Sequence, residues 1–178
     1  YTETADVDID TLKTVKSAKD IFFPQSESLY QVRRQDGKLE IQGEALREKP
    51  FVVFGIRGCD VKGMEVLDKV FLSDPVDGYY AARRQMGTIV SLACGRPETS
   101  CFCKVFGVDC AEPQGDVVTW LTGDCLYWKP RTEKGAALTA QLSDLLEDWE
   151  LSLPEHIGLA YLPDSGIVRL RLSGKGND

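Results

Sequence analysis

The hydrophobic pattern breaks the chain into recognisable strands and helices. Residues 51–56, Phe-Val-Val-Phe-Gly-Ile, form a near-continuous β-prone apolar run, as in a strand buried on both faces. The turn Arg57-Gly58-Cys59-Asp60 follows, after which Val61, Met64, Leu67, Val70 and Phe71 share one helical face. Asp60 is placed to cap that helix. Residues 73–78 carry Asp-Pro and Asp-Gly and read as a loop. Tyr79 to Met86 predicts a short helix stopped by Gly87. Thr88 to Ala93 is a second strand, with Cys94 at its C-terminal end. Residues 94–116 are rich in Gly, Pro and Cys and show no period; a loop of that length in a compact domain is usually functional.

Upstream, residues 1–20 are polar and expected to be loosely attached, and the apolar Ile21-Phe22-Phe23 is stopped by Pro24. Leu29–Val32 and Leu39–Ile41 alternate around Asp36-Gly37, a hairpin signal. Downstream, Asp116–Trp120 and Cys125–Trp128 predict two strands around Thr122-Gly123-Asp124. Leu138, Leu142, Leu145, Leu146 and Trp149 predict an amphipathic helix. Ile157–Leu162 and Ile167–Leu172 predict a weaker hairpin. These elements add up to an α/β fold: a mixed central sheet with flanking helices and β-hairpins, and a long Cys-rich loop at one sheet edge.

Composition narrows the function classes. The chain has 178 residues, 43% hydrophobic and 28% charged, as in an ordinary globular protein. Its net charge of -7 and pI near 4.8 argue against a nucleic-acid partner. No apolar stretch approaches the roughly 18 residues needed to span a bilayer, and the acidic N-terminus does not read as a signal peptide. A cytoplasmic location is expected. The absence of an initiating Met suggests a piece of a longer chain.

The candidate chemistry lies in six cysteines: Cys59, Cys94, Cys101, Cys103, Cys110 and Cys125. In a reducing compartment, metal binding, redox work or burial are more natural uses than disulfides. Ligands in open α/β sheets bind outside the carboxyl ends of the strands. If strands 51–56 and 88–93 are neighbours, Cys59 and Cys94 reach the same edge, and the long loop brings Cys101 and Cys103 over them. Four thiolates suit a [4Fe–4S] cluster or a structural zinc. The scattered spacing favours the cluster, because zinc usually draws on paired C-x₂₋₄-C knuckles. Cys59 at a helix N-terminus should have a lowered pKa. Arg57, Arg96 and Lys104 could offset negative charge, and backbone N–H groups near Gly58 and Gly95 could bond to sulfur. Cys110 could substitute for Cys94 as a ligand, Cys125 reads as core, and Asp60 is preferred as a cap over an oxygen ligand. The alternative is that the cysteines are inert and buried.

Several unlinked motifs resemble one family. They are Ile21-Phe22-Phe23-Pro24-Gln25-Ser26-Glu27, Phe54 to Asp60, Glu65 to Phe71, Asp77-Gly78-Tyr79-Tyr80-Ala81-Ala82-Arg83-Arg84, and Cys94 through Cys101-Phe102-Cys103. Across residues 12–148 the chain resembles the N-terminal domain of a family of iron–sulfur electron-transfer subunits, typified by those of anaerobic sulfite reductase and by the β subunit of sulfhydrogenase. The resemblance implies a non-catalytic, electron-relaying part of an anaerobic oxidoreductase complex. Its partners would be flavin/nicotinamide-binding and catalytic redox subunits. It also implies Cys59, Cys94, Cys101 and Cys103 as ligands of a [4Fe–4S] cluster, which an aerobically prepared crystal could lack. Residues 1–150 would be this domain and 151–178 an extension towards a ferredoxin-like part. Two departures stand out: Lys104 to Cys110 replaces the Cys-Thr-Ser-Met-Gly-Thr-Gly found in many members, and residues 151–178 are not placed by this resemblance.

Other signals are weaker. Arg83-Arg84 could hold an acidic partner or a phosphate, or be a solvated face beside core tyrosines. Gly55-Ile56-Arg57-Gly58 lacks any nucleotide-loop pattern. His156, the only histidine, excludes a Ser-His-Asp triad or histidine-rich metal site. Trp120, Trp128 and Trp149 read as core. A cluster-free docking scaffold with structural cysteines is the competing functional class.

Overall fold

The computed structural model describes residues 16–123, 125–148 and 168–171. A six-stranded mixed sheet forms the centre. Its strands are β3 (Phe51–Ile56), β4 (Gly87–Leu92), β5 (Val117–Thr122), β6 (Cys125–Pro130), β7 (Glu147–Asp148) and β8 (Val168–Arg171), in the order β3-β4-β5-β6-β8-β7. β3, β4 and β5 are parallel, and the remaining pairings are antiparallel. Strands β1 (Tyr30–Gln35) and β2 (Lys38–Gly43) form a separate hairpin. Its turn uses Asp36 at φ 51 and Gly37 at φ 80, the left-handed pair that Asp-Gly favours.

The alternation along each strand decides what covers each face. On one face Val53, Ile56 and Ile89 pack against α1 (Lys19–Phe22), α2 (Gly58–Phe71) and α3 (Gly78–Met86), through Phe22, Val61, Met64 and Tyr80. On the other, Val90, Leu92, Val117, Leu126 and Trp128 receive Leu138 of α4 (Glu133–Gln141) together with Leu142 and Leu146. Asp77 caps α3 by accepting from the Tyr80 N–H at 2.9 Å. Thr132 caps α4 through the Gly135 N–H at 3.2 Å. Gly87 ends α3 for a packing reason: its φ is -81°, and a Cβ there would meet Phe22 Cε1 at 2.5 Å.

The structure corrects several expectations. The N-cap of α2 is Arg57, and Asp60 lies in the first turn, where its carboxylate accepts from Ser17 Oγ at 3.3 Å and pairs with Lys19 at 3.8 Å. Asp60 therefore ties α1 to α2. The helix expected to reach Trp149 ends at Gln141, and a 3₁₀ turn at Ser143–Leu145 leads into β7. Lys19 and Asp20, expected in a loose polar segment, belong to α1. His156, Trp149 and the strand expected at 157–162 lie outside the described residues. Val168–Arg171 is a strand, and it pairs with β6 and β7.

Candidate metal centre at the C-terminal sheet edge

The cysteines reach their positions through the parallel register of β3 and β4. Phe54 stands opposite Val90 and Ile56 opposite Ser91, so the ends of both strands open on one edge. Cys59 stands in the first turn of α2, just beyond β3, and Cys94 just beyond β4. The Arg57 guanidinium donates to the Ala93 carbonyl at 3.0 Å and joins these two strand ends. Arg57 thus anchors to the backbone while keeping its positive charge at this edge.

The long loop is fastened over this edge. The Cys94 N–H donates to the Cys110 carbonyl at 2.8 Å. Asp109 accepts from the N–H groups of Ala111 and Glu112. The Trp120 indole, 3% exposed, donates to the Ala111 carbonyl at 2.6 Å. Glu112 pairs with Lys129 and Arg131 on the strand side. Asp116 closes the loop: its backbone N–H donates to Ile89 O, and its carboxylate accepts from the Ile89 N–H and the Thr132 hydroxyl. Gly58 permits the close approach, since a Cβ there would stand 2.9 Å from Pro113 Cβ and 3.0 Å from Val108 Cγ1.

Cys59, Cys101 and Cys103 line one cavity of about 350 Å³, together with Asp60, Val66, Phe102 and Phe106. The space far exceeds the ~30 Å³ share of one water, so it suits a group of several atoms better than a lone ion. Lys19 and Lys62 are the cations on its walls; neither was singled out from sequence. Arg96 and Lys104 are not lining residues. The Glu98 N–H donates to Cys101 Sγ at 3.3 Å, a contact of the kind that stabilises a thiolate. Cys94 Sγ instead donates to the Arg96 carbonyl at 3.6 Å and does not line the cavity.

The thiols are electrostatically linked. Burial pushes the Cys59 thiol above its ordinary value, with Asp60 and Cys103 adding to the rise against the opposing backbone N–H groups of residues 59 and 60. The helix-start position therefore does not yield the lowered pKa expected from the dipole. Cys103 is also raised, first by its hydrogen bond with Cys110, then by burial, then by the charges of Cys110 and Cys101. None of the six cysteines is in a disulfide. Among the described residues, no three His, Cys, Asp or Glu side chains are already close enough to hold a metal ion. The donor set nevertheless fits an iron–sulfur group in kind, with soft sulfur ligands around a multi-atom space. Cys125 packs with Val118, Trp120 and Tyr127 as a core residue.

Arg83 and Arg84 are not free for a phosphate. Arg83 pairs with Glu27 and donates to the Phe22 carbonyl at 2.6 Å. Arg84 makes two 2.7 Å bonds to Asp68, which also accepts from Tyr80 at 2.6 Å. Both partners are too far away in sequence to be recognised there. Among the described residues, no helix is long and apolar enough to cross a membrane.

Comparison with known proteins finds similarity to sulfhydrogenase 2 subunit beta of Pyrococcus furiosus, 29% identical over 143 residues. That stretch covers 80% of this chain and 41% of the relative, so the chain spans less than half the length of that protein. Shorter stretches of 37 residues, 21% of the chain, are 54% identical to a CinA-like protein of Cytophaga hutchinsonii and 57% identical to one of Flavobacterium psychrophilum. Each covers 9% of its relative. No protein-family model and no solved structure matches the chain.

Proposed function

We propose that this chain is the iron–sulfur electron-transfer part of a multi-subunit oxidoreductase, with Cys59, Cys94, Cys101 and Cys103 as ligands of a [4Fe–4S] cluster. The observation that carries the reading is the convergence of Cys59, Cys101 and Cys103 on one cavity at the carboxyl edge of a parallel strand pair. Cys94 stands at the end of the neighbouring strand, and its thiol would turn from the Arg96 carbonyl to complete the set. Similarity to a sulfhydrogenase β subunit supports the assignment to a redox complex. A bound cluster would supply one-electron relay. The chain's own residues would hold and tune it. The Glu98 N–H would bond to a ligand sulfur, and Phe102, Phe106 and Val66 would form the apolar part of the wall, beside Lys19 and Lys62, which pair with Asp60 and Glu65. The partners in this reading are flavin/nicotinamide-binding and catalytic redox subunits.

The test is anaerobic iron–sulfur reconstitution of single variants. Cys101→Ser and Cys103→Ser should each lose the bound iron, while Cys125→Ser retains it. Loss on changing Cys125, with retention on changing Cys103, would overturn the ligand assignment.

One observation favours a cluster-free docking scaffold as the second reading. The β1–β2 hairpin places Val32 opposite Ile41 and Arg34 opposite Leu39, and Val32, Leu39 and Ile41 remain 53%, 69% and 72% exposed. Such an apolar strip suits a protein partner. In that case the reconstituted chain would be colourless.

A further inference from the structure

We propose that the exposed apolar patch beside the thiol cavity is the docking surface for a redox subunit whose contacting face is apolar at its centre and carries carboxylates at its rim. The patch itself rests on packing and exposure; the choice of a redox subunit as its occupant rests on the iron–sulfur reading above.

Two elements build the patch. A 3₁₀ turn at Cys103–Phe106 ends at Gly107, whose φ of 64° turns the chain back. The Val108 N–H closes the turn on the Cys103 carbonyl at 3.0 Å. The turn leaves Val105 79% exposed, and the rings of Phe102 and Phe106, both exposed, lie against each other with centroids 5.4 Å apart. On α2, Val66 and Val70 stand one turn apart and are exposed, while Leu67 and Phe71 of the same helix pack on the core. Val66, Phe102 and Phe106 line the same cavity, so loop and helix contribute to one surface. Single exposed apolar side chains are ordinary; a group gathered on a fastened loop marks a contact site. The anchors at Asp109, Glu112 and Trp120 fix the loop before any partner arrives, which lowers the ordering cost of binding.

Position and charge select the occupant. Phe102 lies between Cys101 and Cys103 in the chain, and all three line the cavity. A body seated on the patch therefore stands against the wall of the candidate metal centre. Electron transfer slows steeply with distance, so a subunit with its own cofactor gains from contact at this face. Charge sets its rim. Lys19 and Lys62 are paired with Asp60 and Glu65. Lys104, between Cys103 and Val105, is exposed and has no ion-pair partner among the described residues. A carboxylate opposite it complements this cation and fixes the register of docking. A second copy of this chain docked through the same patch would offer Lys104 again, and not a carboxylate.

The test uses the full-length protein in the complex that copurifies with it from its own cells. A carbodiimide, which joins amines to carboxylates without a spacer, is applied, and the links are mapped by mass spectrometry. The expected product joins Lys104 to an Asp or Glu of a subunit that carries flavin or a metal centre. No link at Lys104, or links only to its own chain, to a second copy or to a cofactor-free subunit, would overturn the proposal. The cofactor-bearing subunit is then isolated and rebound to variants. Val105→Glu places a charge in the patch without touching a cavity-lining residue. It should weaken binding by roughly tenfold or more, with melting temperature and anaerobic iron loading unchanged. Lys104→Glu should weaken binding too, and Lys104→Arg should keep it. Wild-type binding by Val105→Glu would overturn the proposal. If Val105→Glu loses the subunit but neither wild type nor variant loads iron, the iron–sulfur reading fails and the docking surface stands.

Discussion

At the scale of single residues, two positions carry more than their side chains suggest. Gly58 gives the Cys-rich loop its seat on α2, because Pro113 and Val108 occupy the space of a Cβ. Gly58→Ala should destabilise the fold by ~1–3 kcal/mol through overpacking and lift the loop from Cys59. Chemical denaturation measures the first effect and iron retention the second. Asp68 is the other position. Burial alone would raise its carboxyl, but hydrogen bonds from Arg84 and Tyr80 and the Arg84 charge outweigh it and hold the group below its ordinary 3.8. A depressed folded pKa contributes stability that is present above the unfolded value and lost as pH falls through the folded one. Asp68→Asn should cost roughly 1–2 kcal/mol at neutral pH, discounted for the water that still reaches the pair. The gap from wild type should close below about pH 4. Urea denaturation at neutral pH and at about pH 3 reads both. Neither role was visible in sequence: the pairing of Asp68 with Arg84 and the contact of Gly58 with Pro113 join residues far apart along the chain.

Elements show where the hydrophobic pattern carries structural information and where it runs out. The period through Val61, Met64 and Leu67 located α2 because the same residues pack on β3 and β4. The period through Leu138, Leu142 and Leu146 overran α4 for a related reason. Leu142 and Leu146 do reach the same core cluster, but from the cap after α4 and from extended chain, while Leu145 stays 62% exposed. The contacts of Leu138, Leu142 and Leu146 were anticipated; the exposure of Leu145 and the backbone making the contacts were not. The hairpin at Asp36-Gly37 and the loop at 94–116 were legible from turn chemistry. The loop's course was not, since it depends on Gly107 and on anchors across the sheet. One of these anchors is Trp120, whose indole donates to the Ala111 carbonyl. Trp120→Phe should keep the aromatic packing but strand the Ala111 carbonyl, costing about 1–2 kcal/mol. It should also weaken iron retention without touching a cysteine. If retention is unchanged, the loop does not need this anchor.

For the molecule as a whole, the sheet order explains why one edge gathers the thiols. Parallel β3 and β4 deliver Cys59 and Cys94 to the same side, and the connection to β5 must cross back over it, carrying Cys101, Cys103 and Cys110. The strand-end positions of Cys59 and Cys94 were legible in sequence, but the 2.8 Å bond from the Cys94 N–H to the Cys110 carbonyl emerged only from the folded loop. The chain carries a net charge of -7, and at the cavity Lys19 and Lys62 are paired with Asp60 and Glu65. The central claim is that this edge holds a cubane. Its most direct test is iron and acid-labile sulfide analysis of the chain after anaerobic reconstitution and removal of unbound metal. Roughly four irons and four sulfides per chain, with a broad visible charge-transfer band, are predicted. A colourless chain with neither iron nor sulfide would contradict the account.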